Sequence, residues 1–433
     1  MNRRFEPAGR LRGSITPPAD KSISHRAALF GAMSDEPVTI HNYLDAEDTQ
    51  STLGALRAIG AGVDESAPGE TVVRGVGLHA ALETTTGHVD VGNSGTLLRL
   101  LPGWLAGQPG QIWTLDGDES IRRRPIDRIA APLRMMGCNV EARDERFTPM
   151  TVHGAELSGI HYTLPVATAQ VKSCVLIAGM LASGQTSVTE PAQSRDHTER
   201  MLRRARVPFE RDGLTVRVSE VDELELDEIT VPADPSSAAF HAAAAAIVGG
   251  SHVVLRDVGL NWTRTAFFRI LVRMGAVVVG DLEEEPETTP DIEPYGDLDI
   301  RQAPLEGTTI APEEVPLAID ELPLVALLGC FAEGETVVTG AEELRVKETD
   351  RLTGVVDGLR GLGADIEALA DGFVVRGGGT LRGGTIDALG DHRMAMLGAV
   401  AGLGSEEGVE VVGMEAAAVS YPRFEADLGA LLR

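Results

Sequence analysis

Residues Leu133–Val140 read LRMMGCNV, and close copies stand at Leu56–Val63 (LRAIGAGV), Leu271–Val278 (LVRMGAVV) and Leu359–Ile366 (LRGLGADI). Each copy begins as the apolar face of a helix and runs into a glycine, the residue best suited to closing a helix. The residues after that glycine start a strand. Upstream of each copy lies a second pattern of polar residues, an apolar helix, a glycine or acidic turn, and a β-rich run. These upstream helices are expected to begin near Lys21, Asn93, Thr168, Ser236, Asp320 and Asp391, at spacings of 72, 75, 68, 84 and 71 residues. Their strands follow at 38–40, 112–115, 186–189, 253–255, 336–339 and 409–412. Self-similarity of this kind marks a repeat architecture, and a period longer than that of common solenoids makes each repeat a small αβ subdomain.

The stretches Ala238–Val248 and Leu322–Phe331 are apolar nearly all round, which places such helices inside and the sheets outside. The sixth repeat ends in a helix at 422–433 with no strand after it, and Gly9–Thr16 (GRLRGSIT) is expected to supply that strand. The N-terminus then belongs with the last three repeats. Two α/β domains of three repeats each follow: residues 1–18 with 234–433, and an inserted domain at 19–233. The chain crosses between them near Pro18 and near Val231–Pro235, where prolines break the pattern. The active site is expected in the cleft between the domains.

A chain of 433 residues with 43% hydrophobic and 24% charged content has ample material for two globular cores. Met1–Gly13 is basic but has no apolar segment, so it does not read as a secretory signal, and no run reaches membrane-spanning length. The three cysteines, Cys138, Cys174 and Cys330, are far apart, which fits a cytoplasmic protein without a disulfide framework or zinc spacing. A net charge of −27 opposes binding to nucleic acid or anionic lipid. Any bound anion must enter a local cationic pocket. Of 38 basic residues only Lys21, Lys172 and Lys347 are lysine, so those three positions mark places where a compact ammonium is needed.

The unusual polar residues fall at two repeated phases. The first is the helix N-terminus, where free N–H groups favour an anion. It carries Lys21, Ser22 and Arg26 in PADKSISHR; Asn93, Gly95, Thr96 and Arg99 in GNSGTLLR; Thr168, Gln170 and Lys172; Asp320 and Glu321; and Asp391, His392 and Arg393. The second is the loop after the strand, with Arg122 to Arg124, Arg195, Arg264 and Arg345 to Arg351 (RVKETDR). Singly, each reads equally well as a capped helix or a solvated charged face. Equivalent phases of a repeat lie on equivalent faces, so together they converge on one end of each domain. That arrangement is cationic enough to repel itself without ligand, and it holds carboxylates, Asp320 and Glu348, suited to proton transfer.

DKSISHR, GNSGT followed by Arg99, RRRP, TAQVKS, RVKETDR and DHRMAM, in this order and spacing, resemble the 5-enolpyruvylshikimate-3-phosphate synthase family over essentially the whole chain. The resemblance implies two domains, each of three βαβαββ units with buried parallel helices and outer sheets in pseudo-threefold array. It implies transfer of the enolpyruvyl group of phosphoenolpyruvate to the 5-hydroxyl of shikimate 3-phosphate, by addition and elimination through a tetrahedral intermediate, with no metal or organic cofactor. It further implies a cytoplasmic monomer whose partners are these small molecules, with no nucleic acid and no membrane.

Residue by residue, the resemblance assigns shikimate 3-phosphate to Lys21, Ser22, Arg26, Thr168, Ala169, Gln170, Arg195, Asp320 and Lys347. It assigns phosphoenolpyruvate to Lys21, Gly95, Arg124, Gln170, Arg351 and Arg393, with Asp320 as base and Glu348, helped by Lys21, as the acid for the methylene carbon. Some members have a lysine where this chain has Val419, a paired serine where it has Thr168-Ala169, and a tyrosine where it has Arg195; these departures resemble a second sequence class. The tolerant branch carries alanine at the position of Gly95, so glycine implies an enzyme sensitive to glyphosate or only partly tolerant, although the Val419 pattern is shared with tolerant members. The alternatives are the sister transferase acting on UDP-N-acetylglucosamine, which usually carries a reactive cysteine, and a non-catalytic anion-binding repeat protein. The retained carboxylates argue against the latter.

Overall fold

The structure, a computed structural model, describes residues 1–67, 69–79 and 86–432. Three buried helices lie in each of two units: α1 (Lys21–Met33), α2 (Gly95–Ala106) and α3 (Ala169–Gly179) in one, α4 (Pro235–Ile247), α5 (Leu322–Phe331) and α6 (His392–Gly404) in the other. Each begins within two residues of its expected start, because the sequence marks the starts chemically. Asp20, Ser94, Asp234 and Asp391 sit at N-caps and accept from the backbone N–H of Ile23, Leu97, Ser236 and Arg393. Close helix packing is written into the sequence as well. A side chain at Gly103 of α2 would meet the carbonyl oxygen of Cys174 on α3 at 2.4 Å, so only glycine lets these two backbones approach so closely.

The second repeat shows the unit of construction. Strand Thr86–Asp90 pairs parallel with Ile112–Asp116, and α2 connects them. Ile112–Asp116 pairs antiparallel with Phe147–His153, which pairs antiparallel with Asn139–Arg143. The order along the chain is thus βαβαββ, and the third and fifth repeats follow it with four-stranded sheets of the same pattern. The sheets of the first, fourth and sixth repeats are completed by strands from elsewhere in the chain. Glu228–Thr230 pairs parallel with Val38–His41 and so closes the sheet of the first repeat.

The N-terminus corrects one expectation. The strand within Gly9–Thr16, Arg12–Ile15, pairs parallel with His252–Gly259 and completes the fourth repeat, not the sixth. The sixth sheet instead takes Asn2–Phe5, antiparallel to Val409–Val412. A parallel first strand was required by the fourth repeat, and the sixth already had its own at Gly384–Asp387.

Two compact units result, each with its own core. One comprises Met1–Pro18, Pro232–Glu285 and Pro294–Arg433, and the other Ala19–Val231 and Pro286–Glu293. The octapeptide 286–293 is an excursion that the sequence reading, with its single block from 234 onward, does not contain. Phe240, Phe267, Phe268, Phe373 and Phe424 lie in the first core; Phe30, Trp104 and Trp113 lie in the second.

The first core encloses a polar chain. His241 of α4 is fully buried, with Nε2 2.9 Å from the Tyr421 hydroxyl, which lies 3.0 Å from Asp427 Oδ2. With the Tyr421 proton donated to the carboxylate, His241 must donate from Nε2, and burial lowers its pKa to about 3. The unfolded chain therefore binds a proton here that the folded chain refuses between about pH 6.5 and pH 3. Stability should be fully present above pH 6.5 and fall by about 1.4 kcal/mol per unit below it on this account alone. Denaturant titrations of wild type and His241→Phe at pH 7, 6 and 5 check this; the variant should show the shallower dependence, and parallel curves would refute it.

Candidate active site

Helix α1 opens with Lys21, whose ammonium lies 2.8 Å from Asp48 Oδ2. Asp48 stands in the first turn of helix Glu47–Ala58 and is buried. Burial alone would favour its protonated form, but Lys21 and His25 outweigh that and hold it well below the usual carboxylate range. His25 is itself buried, 2.7 Å from Thr52 through Nδ1, and burial lowers its pKa. Lys21 is thus aimed by a residue that the sequence reading did not single out.

One turn later Arg26 is fully enclosed. Its Nε donates to Thr198 Oγ1 at 2.8 Å, Nη1 to the Ser22 carbonyl at 2.9 Å and Nη2 to Ser173 Oγ at 2.9 Å. Burial lowers its pKa to about 10, partly offset by Glu199 and Asp20, so it stays cationic at neutral pH. Arg195 is close enough to act on it electrostatically. Ser173 also donates to the Ala169 carbonyl at 2.6 Å, which ties Arg26 to the first turn of α3, where Thr168, Ala169 and Gln170 lie.

Gln170 reaches α2, with Nε2 3.2 Å from Thr96 Oγ1. At the start of that helix a Cβ on Gly95 would lie 2.6 Å from the guanidinium atoms of Arg124. Arg99 donates to the carbonyls of Gly95 and Pro125, both at 3.0 Å, and fastens the RRRP loop to the helix. The structure sorts that triple arginine: Arg122 pairs with Asp116 at 2.7 Å, Arg123 with Glu119 at 3.2 Å, and Arg124 is the one against Gly95.

In the other unit, Arg351 is the organising group. It is buried, with Nε 2.7 Å from Asp391 Oδ2, Nη1 3.2 Å from Asp320 Oδ1 and Nη2 2.5 Å from Glu348 Oε2. Burial would lower its pKa, but Asp391, Glu348 and Asp320 together raise it, so it is permanently charged. Lys347 Nζ lies 3.7 Å from Asp320, and Arg393 lies 3.7 Å from Asp320 and 3.6 Å from Glu321. Asp320, Lys347, Glu348, Arg351 and Arg393 therefore form one cluster. Asp391, one of the polar residues of the first phase, both caps α6 and anchors Arg351.

Other members of the two phases do structural work. Arg264 is absorbed by Asp234 and Ser236, and Arg345 by the helix-capping Asp350. Lys172 points away from solvent altogether. Within each unit many of the cations are already paired, so the self-repulsion expected of a bare cationic surface is largely offset. The three cysteines are buried, and burial pushes Cys138 up to about 11 and Cys330 up to about 12, the opposite of a reactive thiolate. Among the described residues no cluster of three or more metal-ligating side chains occurs, and no helix is long and apolar enough to cross a membrane.

Six αβ repeats built around buried helices, with cations and carboxylates gathered at the helix N-termini, define an inside-out α/β protein. Comparison with known proteins narrows that class. A family profile described as EPSP synthase (3-phosphoshikimate 1-carboxyvinyltransferase) matches residues 5–428. A relative named 3-phosphoshikimate 1-carboxyvinyltransferase from Methylococcus capsulatus is 46% identical over 96% of this chain and 94% of its own. One of the same name from Bacillus subtilis is 45% identical over 97% of both chains. A solved structure of EPSP synthase from Acinetobacter baumannii aligns with TM-score 0.85 and 39% identity, over 99% of this chain and 98% of the other. The chain belongs to the EPSP synthase family, and it is a transferase.

The Lys21–Asp48 pair yields a stability prediction. Asp48→Asn removes the counter-charge of a mostly buried ammonium and should cost about 1–3 kcal/mol at pH 7. Because Asp48's pKa is depressed on folding, the advantage of wild type is complete above the unfolded carboxylate pKa, about 3.9, and fades only as pH falls toward the folded value. Unfolding midpoints at pH 7 and pH 5 should therefore differ between the two proteins by similar amounts. A gap that closed by pH 5 would contradict the assignment.

Proposed function

We propose that this chain transfers the enolpyruvyl group of phosphoenolpyruvate to the 5-hydroxyl of shikimate 3-phosphate and releases phosphate. The hydroxyl oxygen adds to C2 of phosphoenolpyruvate while the methylene carbon gains a proton. The resulting tetrahedral intermediate then loses that carbon's proton and phosphate, which restores the double bond. The observation that carries this reading is Arg351, which holds two partly exposed carboxylates, Asp320 and Glu348, beside Lys347 and Arg393. An anion binder has no use for carboxylates there; an enzyme that must take one proton and give another does.

In this reading Lys21, Ser22, Arg26, Thr168, Ala169, Gln170, Arg195, Asp320 and Lys347 hold shikimate 3-phosphate. Lys21, Gly95, Arg124, Gln170, Arg351 and Arg393 hold phosphoenolpyruvate. Forked guanidinium groups suit carboxylate and phosphate oxygens, and fixed cations stabilise the charge that builds up in the intermediate. Asp320 takes the 5-hydroxyl proton, and Glu348, with Lys21, protonates the methylene carbon. The protein works as a cytoplasmic monomer on these two small molecules, and the reading requires no cofactor.

Two variants separate the roles. Asp320→Asn should lower kcat by roughly 10²–10⁴-fold with little change in KM, as for loss of a general base. Arg26→Ala should instead raise KM for shikimate 3-phosphate by about tenfold or more, the loss of hydrogen bonds to a charged group. Steady-state kinetics with both substrates check this; two variants weakened only in KM, with kcat intact, would show that the roles are wrongly divided.

Gly95 governs inhibition by glyphosate, a phosphonate taken here to enter the phosphoenolpyruvate pocket. A methyl at Gly95 would meet the Arg124 guanidinium at 2.6 Å and displace it, so binding of both molecules should weaken. Glyphosate, the longer molecule, should suffer more. In Gly95→Ala the inhibition constant should therefore rise well beyond the rise in KM for phosphoenolpyruvate, and equal inhibition constants in the two proteins would show that Gly95 is not the gate.

A further inference from the structure

The three lysines do not share one fate. Lys21 and Lys347 keep part of their side chains in solvent, whereas Lys172 of α3 is completely buried. Its Nζ lies 2.7 Å from Glu190 Oε2 and 2.6 Å from Glu199 Oε1, and both carboxylates are buried with it. One ammonium thus faces two carboxylates out of water, a costly arrangement that apolar side chains of similar volume often replace without loss of stability. Packing alone does not account for it.

What the triad has is reach. Glu190 follows strand Gln185–Thr189 and accepts from the hydroxyl of Ser194, the neighbour of Arg195. Glu199 lies in the first turn of helix His197–Arg204, next to Thr198. Thr198 Oγ1 lies 2.8 Å from Arg26 Nε and 2.6 Å from the hydroxyl of Ser173, the residue after Lys172. Ser173 in turn accepts from Arg26 Nη2 at 2.9 Å. Two layers therefore run between the same two helices: Lys172 with Glu190 and Glu199 in one, Ser173 and Thr198 around Arg26 in the other. The charges are coupled as well, since Glu199 is the carboxylate that acts most strongly on the Arg26 guanidinium.

We propose that Lys172 is a positioning residue for the shikimate 3-phosphate subsite: through Glu190 and Glu199 it fixes Arg195 and Arg26 in place without touching the ligand. This rests on the reading of Arg26 given above, and the experiment keeps the two apart. In the full-length enzyme, kcat, KM for each substrate and the thermal midpoint are measured for four proteins besides wild type. If Arg26→Ala leaves KM for shikimate 3-phosphate unchanged, the reading of the subsite fails; if it raises it, the remaining variants decide the role of Lys172. Lys172→Met leaves two buried carboxylates uncompensated and should lower the midpoint. The triple variant Lys172→Met, Glu190→Gln, Glu199→Gln removes all three charges and should regain much of that midpoint, yet its KM for shikimate 3-phosphate should stay raised about tenfold, with a much smaller effect on phosphoenolpyruvate. Recovery of both midpoint and KM would overturn the proposal, because the triad would then be only structural. Ser194→Ala with Thr198→Val cuts the two links while leaving the triad whole, so the proposal stays testable even if the triple variant folds poorly. The same selective rise in KM is expected there, and an unchanged KM overturns the proposal.

Discussion

A helix buried on every side still carries free N–H groups and a positive dipole at its first turn, and that end must be satisfied from within the protein. Six such helices in this chain repeat the problem six times. Asp20, Ser94, Asp234 and Asp391 answer it as side-chain caps. Asp234 and Asp391 also hold an arginine: Asp234 lies 2.8 Å from Arg264, and Asp391 lies 2.7 Å from Arg351. The same geometry gives opposite uses. Arg264 is also taken up by Ser236 and is part of the scaffold, whereas Arg351 keeps further donors for Asp320 and Glu348.

That constraint explains how an acidic chain, at −27, builds cationic sites. Arginine and lysine are placed where carboxylates already hold them: Lys21 by Asp48, Arg351 by three acids, Arg393 by Asp320 and Glu321. Each cation stands oriented before any ligand arrives, which is the condition under which fixed charges help a reaction most. The surface can remain acidic, because the balance is struck locally.

How much of this was legible in the sequence follows from the same physics. Helix starts could be read closely because caps and prolines are local signals, and the central strands because they are apolar and β-branched. The closing strands could not. Asn2–Phe5 (NRRF) and Arg12–Ile15 (RGSI) are four residues each, mostly exposed, and show no apolar alternation to reveal a partner. Their placement depends on which sheet lacks a strand, a property of the whole unit. Phase marks Lys21, Arg26, Arg124, Gln170, Arg351 and Arg393 as candidates, and the structure buries Lys172, which phase marks equally, against Glu190 and Glu199. Positions two apart on a helix differ by about 200° in direction, so Gln170 and Lys172 cannot face the same way. Asp48 and Asp391 were missed as anchors because a capping acid and an acid that aims a cation look identical in sequence.

The exposure of the acids around Arg351 settles which of them can exchange. Asp391 is 0% exposed, grips Arg351 through both Nε and Nη2, and caps α6 at the same time. Asp320 and Glu348, at 15% and 16%, also meet Arg351 and remain reachable from solvent. An incoming anion that shares Arg351 must therefore compete with Asp320 and Glu348 and leave Asp391 in place. As it does so it weakens the hold of a cation on those two carboxylates and adds negative charge beside them, and both effects raise their affinity for a proton. In the mechanism proposed above, Asp320 and Glu348 are the two acids that exchange protons, and the Arg351 guanidinium that they share is a proposed contact of phosphoenolpyruvate.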